Sequence, residues 1–510
     1  MTTTSLNNKR IAKNTFYMYI RMGVTMLVQL YTSRIVLNAL GVDDYGIYNI
    51  VGSVIVAFSF ISGPLGAATQ RFYNFELGKN NKENVNSIFN HSLVIYLILS
   101  IILLATIELA GLWFIYNQMQ LPVERMDAAL WAFHLSVLCF VFSLLKVPYE
   151  SLIIAHEKMS FYAYISIVEV LLKLLNAFCL LYITVDKLKL YSVNQLVITW
   201  IILGCIMAYC KRKFIYVRLQ KMWNIFIFKQ LLGFSGWSLF GSLASMSANQ
   251  GLNLLLNVFY GVAVNAAMGI ANQISSSVNQ FVSNFQIAFR PQIVKTYATG
   301  NMAELRRLIS NTSKYSYLLL FMLVCPLCFN IDFLLRVWLK NVPEYTSVFC
   351  IFILIYALLE TLSAPMWMTV QATGKIRTYQ LVISCVIGLN VFISYAFLKS
   401  GFSPFIVLQI KCSLDVVYLA VRLWFMRTMV DYSVRDFIKE VLTPIFIISF
   451  LSMIIMYLIV SLVRDELYKL LVSSAAFALI YIPACYYIAF TVHEKQMILK
   501  LVNSKIRKNN

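Results

Sequence analysis

The sequence predicts an all-α integral membrane protein with about fourteen transmembrane helices, arranged as two six-helix repeats followed by two extra C-terminal helices. Three observations predict it. Of 510 residues, 60% are hydrophobic and only 13% are charged, too apolar for an ordinary soluble domain. Apolar runs of about 20 residues, the length a helix needs to cross a bilayer, follow one another with short polar breaks. Two long stretches of the chain also repeat one another in register.

In chain order the apolar cores fall roughly at 15–40, 45–68, 91–116, 129–151, 161–184 and 193–213, then at 231–258, 261–289, 314–335, 346–369, 379–399 and 403–426, and finally at 441–463 and 469–490. The first run is too long for a signal-peptide core and no small-residue cleavage site follows it, so a retained helix is expected. The predicted parts are a first lobe at 1–213, a linker at 214–230, a second lobe at 231–427, and added helices with a basic tail at 428–510. Around the linker, KRKFIYVRLQKMWNIFIFKQ (211–230) interleaves Lys and Arg with Phe, Tyr, Trp and Ile, which suits an amphipathic helix lying along the membrane interface.

The repeat is seen most clearly where PYESLIIAHEKMSFY, from Pro148, meets PMWMTVQATGKIRTY, from Pro365. Pro148, Lys158 and Tyr162 each precede Pro365, Lys375 and Tyr379 by 217 residues. LNALGVDDYGI (37–47) likewise resembles LNVFYGVAVNAAMGI (256–270), and RFYNFELGKNNKENVNSIFN (71–90) resembles RPQIVKTYATGNMAELRRLISN (290–311). Helices one to six thus correspond to seven to twelve. Six being even, the copies share one orientation, as halves related by an axis along the membrane normal do.

The net charge of +20 follows topology rather than nucleic acid, because most Lys and Arg fall in alternate loops. That asymmetry places both termini in the cytoplasm. The ten Cys lie mostly within apolar spans, and Cys325-Pro-Leu-Cys328 has no further ligands nearby, so a packed core is expected there rather than a metal. His91, His134, His156 and His493 are scattered. No Walker A, GxSxG, HExxH or dinucleotide-binding turn occurs, and no loop is long enough to hold an active site; a non-enzyme without cofactors is expected.

Function is therefore sought in the polar residues inside the spans, since a charge at the bilayer centre costs about 2.5–3.5 kcal/mol and seeks a protein interior or a wet cavity. On helix one, Asn14, Arg21, Thr25 and Thr32 share a sector at 100° per residue, with Gln29 beside it and Arg34 on another face near the outer end. Arg21 either faces a lumen or snorkels to the interface. Ser238, Ser242, Ser245, Asn249 and Asn253 share a face of helix seven with Asn257 at its margin, and Asn272, Ser276, Asn279, Ser283 and Arg290 share one on helix eight. Such stripes serve either as interhelical glue or as cavity lining. Arg290, followed by Pro291, also suits a helix boundary. Lys146 with Glu150, Glu169 with Lys173, and Lys411 with Asp415 have the i,i+4 spacing of ion pairs, and Tyr418 and Arg422 continue the last face.

With these features in hand, the chain resembles the Wzx-type O-antigen flippases of polysaccharide biosynthesis, within the multidrug/oligosaccharidyl-lipid/polysaccharide (MOP) exporter superfamily. The resemblance rests on the twelve-helix core of parallel repeats, the LGVDDYGIYNI turn, the TQRFYNFELGKNNKENVNSIFN loop and the two added helices. It covers about residues 5–430 and, more loosely, the rest. It implies a V-shaped transporter of the bacterial inner membrane that moves undecaprenyl-pyrophosphate-linked oligosaccharide to the periplasmic leaflet, for O-antigen, lipopolysaccharide, capsule or exopolysaccharide synthesis. Implied partners are membrane lipids and the pathway's polymerase and glycosyltransferases. Coupling to membrane potential, H+ or Na+ is open.

The similar lipid II flippases use first-helix arginines around the lipid pyrophosphate; Arg21 matches that role best and Arg34 less well. The residues carried forward as lumen candidates are Arg21, Thr25, Gln29, Arg34, Glu169, Lys173, Asn249, Asn253, Asn272, Asn279, Arg290, Lys411 and Asp415. The rival reading is a MATE-type multidrug or cation antiporter, which Glu169, Glu360 and Asp415 keep alive; a membrane polymerase or ligase and a pure scaffold rank lower. Adding 217 sets Glu169 against Val386, Lys173 against Asn390 and Asn176 against Ile393, so the fold itself does not require these polar groups.

Overall fold

A computed structural model describes residues 3–56, 58–117, 123–183, 185–220, 224–339, 342–463, 465–490 and 495; of the predicted basic tail only Lys495 is included. Every regular element among the described residues is a helix, and none is a strand. The first copy of the repeat comprises α1 (Thr3–Val56), α2 (Ser62–Gly78), α3 (Lys82–Asn117), α4 (Met126–Ala155), α5 (Met159–Tyr182) and α6 (Lys187–Lys213). The second comprises α7 (Ile225–Ala298), α8 (Met302–Phe329), the short α9 (Ile331–Leu339), α10 (Thr346–Thr373), α11 (Arg377–Lys399) and α12 (Ile406–Val430). A four-residue α13 (Val434–Phe437) leads through a π turn, Ile438–Leu442, into α14 (Thr443–Leu462), and α15 (Glu466–Ala484) ends in a second, Cys485–Ala489.

A straight helix of the 74 residues of α7 would run about 110 Å, several times the ~30 Å of a hydrocarbon core. The chain therefore breaks. Gly261 leaves the helix at φ 75, ψ −167, and Gly41 does the same in α1 at φ 80, ψ 172, a region open essentially to glycine alone. Splitting α1 and α7 there, and reading the second part of α1 with α2 as one crossing, recovers the fourteen predicted segments. The predicted core at 45–68 is thus two helices, joined by a 3-10 turn at Ser59–Ile61. Nine of the described helical segments are long and apolar enough to cross a membrane; α1, α2, α7 and α12 fall short of that measure.

The backbone repeats as the sequence does. Gly41 and Gly261 lie 220 residues apart, as do the left-handed residues Asn80 and Gly300. Asn81 and Asn301, again 220 apart, cap α3 and α8 by accepting the amides of Asn84 and Glu304. Further along the offset is 217: Glu157 and Gly374 are both left-handed, and Pro148 and Pro365 both sit inside helices. The second copy is therefore three residues shorter between α8 and α10.

Two compact units result. One holds Ala12–Leu243 with Val294–Gly300, the other Met1–Ile11, Ala244–Ile293 and Asn301–Asn510. In the first unit Ile107, Ile115, Phe133, Val137 and Leu180 are fully buried, and Gly111 lets α3 meet α4, since a Cβ there would sit 2.2 Å from the Phe133 ring. In the second, Leu256, Ala267, Phe349 and Val407 form the core.

The added pair α14–α15 packs on α8. Tyr481 donates to the Leu318 carbonyl at 2.8 Å, Asn330 to Ser473 at 3.2 Å, and the buried Lys314 ammonium to the carbonyl of Ala489 at 2.8 Å, where the last helix leaves carbonyls unfilled.

The segment after α6 corrects the expected amphipathic helix. Phe214–Gln220 is not helical; residues 221–223 lie outside the described residues. Asn86 and Asn90 of α3 hold its backbone: Asn86 accepts from the Arg218 N–H at 2.8 Å, and Asn90 donates to the Arg218 carbonyl at 2.9 Å and accepts from the Gln220 N–H at 3.0 Å. His91 Nε2 accepts the Asn224 N–H at 2.8 Å. The Val217 N–H closes a turn onto the Phe214 carbonyl at 2.8 Å, and beyond it backbone polar groups that a helix satisfies internally are met by amide side chains, so the segment stays out of a helix.

Candidate functional site

In the first unit, α1, α4 and α5 bring together the largest group of intramembrane charges. The two i,i+4 pairs form, Lys146 to Glu150 at 3.2 Å and Lys173 to Glu169 at 2.7 Å. A contact the spacing does not announce joins them: Lys146 also reaches Glu169 at 3.4 Å, tying α4 to α5. Arg21 lays its guanidinium 5.1 Å from the ring centre of Tyr162 and within electrostatic range of Glu150. Three cations thus face two carboxylates, an excess of one positive charge. The side chains of Lys146, Glu169 and Lys173 are 16%, 24% and 35% exposed, so Lys173 is the most accessible.

The rest of the predicted helix-one stripe divides between buried and exposed positions. Asn14, Thr25 and Thr32 are buried, and the two hydroxyls bond back to the carbonyls of Met22 and Val28, whereas Gln29 and Arg34 are exposed. Asn176 is structural: it donates to the Tyr191 carbonyl at 3.3 Å and accepts from Asn194 at 2.8 Å, pinning α5 to α6.

In the second unit, the expected Lys411–Asp415 pair is absent. Lys411 donates instead to Asn249 at 3.0 Å and lies 4.4 Å from the Tyr356 ring centre, because α7 and α10 offer it these partners on the same side. Asp415 is buried, and its Oδ2 meets no hydrogen-bond donor. Glu360 lies within electrostatic range of Lys411, Asp415 and Arg422. Arg422 donates to Tyr379 at 2.8 Å and to Ser363. Each copy therefore sets an arginine against the tyrosine that opens its fifth helix, Tyr162 or Tyr379. Tyr356 is the member that the sequence did not single out; only its one-turn spacing from Glu360 hints at it.

Along α7, Asn249 and Asn257 are exposed and Asn253 is half-buried, its amide 3.5 Å from Gln250. Beyond Gly261, Asn272, Gln273, Ser276, Asn279, Gln280 and Ser283 are all exposed, with Asn279 donating to Ser275 at 3.3 Å. These side chains are not buried in helix–helix contact. Arg290 stands further along in the same helix, which continues through Pro291 to Ala298 rather than ending there. Its Nε has no hydrogen-bond partner. From Lys187 to Ala303 the sequence has no Asp or Glu at all.

Outside the spans, charge does structural work. Arg125 bonds Asp44 at 2.8 and 2.5 Å and Asp186 at 2.9 Å, gathering the turn after Gly41 and the starts of α4 and α6. Partial burial opposes ionisation of Asp186, but the Lys189 amide and the Arg125 guanidinium outweigh it and hold the carboxyl below its ordinary range. At the opposite ends of these helices, Lys295 bonds the buried Glu157 at 2.7 Å. His156 there meets the Tyr216 hydroxyl at 2.5 Å, and burial pushes the imidazole down to about 4. All ten cysteines are free, and no group of His, Cys, Asp and Glu among the described residues could hold a metal.

No protein-family model matches the chain, and no curated protein matches it. Solved structures do. An outward-facing multidrug-resistance MATE family transporter of the MOP superfamily superposes with a TM-score of 0.71 at 15% identity, covering 83% of this chain and 96% of its own. A MOP superfamily transporter from Pyrococcus furiosus, described as having a binding pocket of reverse polarity, gives 0.70 at 17% over the same shares. A MATE in the bent conformation gives 0.70 at 16%, over 84% and 98%. At such identities the likeness is one of fold: the chain has the MOP transporter fold and is a multi-pass membrane protein.

Proposed function

We propose that this protein is a transporter that moves undecaprenyl-pyrophosphate-linked oligosaccharide repeat units from the cytoplasmic to the periplasmic leaflet of the bacterial inner membrane by alternating access, for O-antigen, capsule or exopolysaccharide synthesis. The observation that carries the reading is the cluster of Arg21, Lys146 and Lys173 around two carboxylates, positive by one charge and partly open. A pyrophosphate needs cationic donors in a low-dielectric setting, and the planar fork of arginine suits it. The exposed amides and hydroxyls of α7 suit sugar hydroxyls, in a stretch without a carboxylate to repel the anion. A polar face of that kind is incompatible with hydrocarbon and belongs against water.

The ion pairs permit exchange of partners. Glu169 is held by two lysines, so Lys173, the more exposed, can turn to a phosphate while Lys146 keeps Glu169 neutralised. Arg21 is braced by the Tyr162 ring and keeps its donors in one plane. A membrane potential negative inside contributes about 2.3 kcal/mol per charge per 100 mV toward outward movement of an anion.

A second reading, a MATE-type cation or multidrug antiporter, is favoured by Glu360 and the orphaned Asp415 Oδ2. One experiment separates them. Arg21→Ala and, separately, Lys173→Ala should abolish surface-polysaccharide export at equal protein level and leave drug sensitivity unchanged. Intact export with altered drug sensitivity favours the antiporter.

A further inference from the structure

Asn86 and Asn90 do more than hold a connector. By taking both backbone polar groups of Arg218 and the N–H of Gln220, they fix in one conformation a non-helical segment that opens with a turn, the Val217 N–H donating to the Phe214 carbonyl at 2.8 Å. Phe214 faces in, 3% exposed, and stacks on His156 at 4.1 Å, while Tyr216 bonds the same imidazole. Ile215 and Leu219 face out, 68% and 72% exposed, and Ile225 and Phe226 at the start of α7 are 50% and 66% exposed. Four large apolar side chains are thus exposed between the end of α6 and the first turn of α7.

Among them stand cations. Lys211, Arg212 and Lys213 in the last turn of α6 and Arg218 in the segment are all exposed. No acidic residue occurs in the chain between Asp186 and Glu304. Of the carboxylates at this end of the unit, Glu76 accepts from Asn84 at 3.0 Å and Glu157 from Lys295 at 2.7 Å, while Glu83 is exposed in the first turn of α3, so four cations of the segment and α6 outnumber it. Exposed apolar side chains close in the chain to exposed cations match the two layers of a lipid surface, acyl chain and phosphate.

We infer that residues 211–220 and 224–226 present a docking surface for anionic phospholipid, with Lys211, Arg212, Lys213 and Arg218 on the headgroups and Ile215, Leu219, Ile225 and Phe226 in the acyl boundary. The surface acts whatever the protein carries. Because the backbone of Arg218 and Gln220 is already held by α3, lipid binding needs no further folding of residues 214–220. It binds the bulk anionic lipid of the leaflet, not the transported molecule.

The test uses the full chain, equilibrated with equal amounts of phosphatidylglycerol and phosphatidylcholine, with retained lipid counted by native mass spectrometry. Each basic residue at an anionic surface is worth about fivefold in partition at low salt. The wild type should retain phosphatidylglycerol preferentially, and K211Q/R212Q/K213Q/R218Q should lose at least about tenfold of that preference. K187Q/K399Q, at the opposite ends of their helices, should change it less than about twofold. Should the quadruple variant not accumulate, two other measurements decide: the wild-type preference should collapse between about 50 and 500 mM salt, and I215S/L219S should weaken retention of both lipids. A preference unaffected by salt, a quadruple variant with wild-type selectivity, or equal losses in K187Q/K399Q overturns the proposal.

Discussion

Replacing Lys146 by Met perturbs the first-unit cluster while nearly preserving side-chain volume. Its ammonium lies 3.2 Å from Glu150 and 3.4 Å from Glu169, with the side chain 16% exposed. At an effective dielectric of 20, each contact is worth about 5 kcal/mol of Coulomb attraction, most of which offsets the cost of keeping the lysine from water. Removing one partner of a buried pair strands the other and costs about 3–5 kcal/mol; here two carboxylates are stranded, but both are partly wet and Lys173 still serves Glu169. The expected loss is about 3 kcal/mol in reversible unfolding from mixed micelles. Adding Glu150→Gln to Lys146→Met removes one stranded carboxylate and should restore about 1 kcal/mol or more. A loss below about 0.5 kcal/mol for the single variant, or a double variant no more stable than the single, would refute the reasoning that Lys146 neutralises both helices.

Three further outcomes are expected. Gly261→Ala places a side chain at φ 75 and should destabilise the break in α7 by about 1–3 kcal/mol, with Gly41→Ala behaving alike, both read as reduced yield of folded protein at elevated temperature. Gly111→Ala drives a methyl into the Phe133 ring and should cost about 1–3 kcal/mol, recovered in part by Phe133→Leu; equal thermal midpoints for wild type and Gly111→Ala would contradict the packing. His156, held neutral down to about 4, takes up no proton in the folded state while the unfolded imidazole does so near 6.5. Stability should therefore fall as pH drops from about 6.5 toward 4, by up to about 1.4 kcal/mol per unit, and His156→Gln should remove that slope in unfolding measured across the window.

Much of the architecture was legible because it is written in periodic apolar runs and in a repeat. The register seen in Pro148 and Pro365 reappears as paired left-handed residues, Glu157 with Gly374, and the likeness of 37–47 to 256–270 reappears as the glycine breaks at Gly41 and Gly261. The break between α1 and α2 was not legible, since residues 45–68 are apolar enough to read as one span.

Helical spacing finds partners on one helix and is blind to those on others. It gave Lys146–Glu150 and Glu169–Lys173, yet missed Lys146–Glu169, and for Lys411 it named Asp415 where Asn249 and Tyr356 from neighbouring helices take the ammonium. The same limit hid the non-helical segment after α6. Its interleaved composition suits an amphipathic helix, and only the tertiary bonds from Asn86, Asn90 and His91 make the non-helical form the better satisfied one.

The most direct test of the central claim is leaflet transfer itself. Purified protein in liposomes carrying an undecaprenyl-pyrophosphate oligosaccharide in one leaflet should expose the sugar to a lectin or glycosidase on the opposite side. With Arg21→Ala or Lys173→Ala, transfer should fall to the protein-free rate at equal incorporation. Transfer at the wild-type rate in both variants, or none by the wild-type protein alongside proton-driven efflux of an organic cation, would contradict the account.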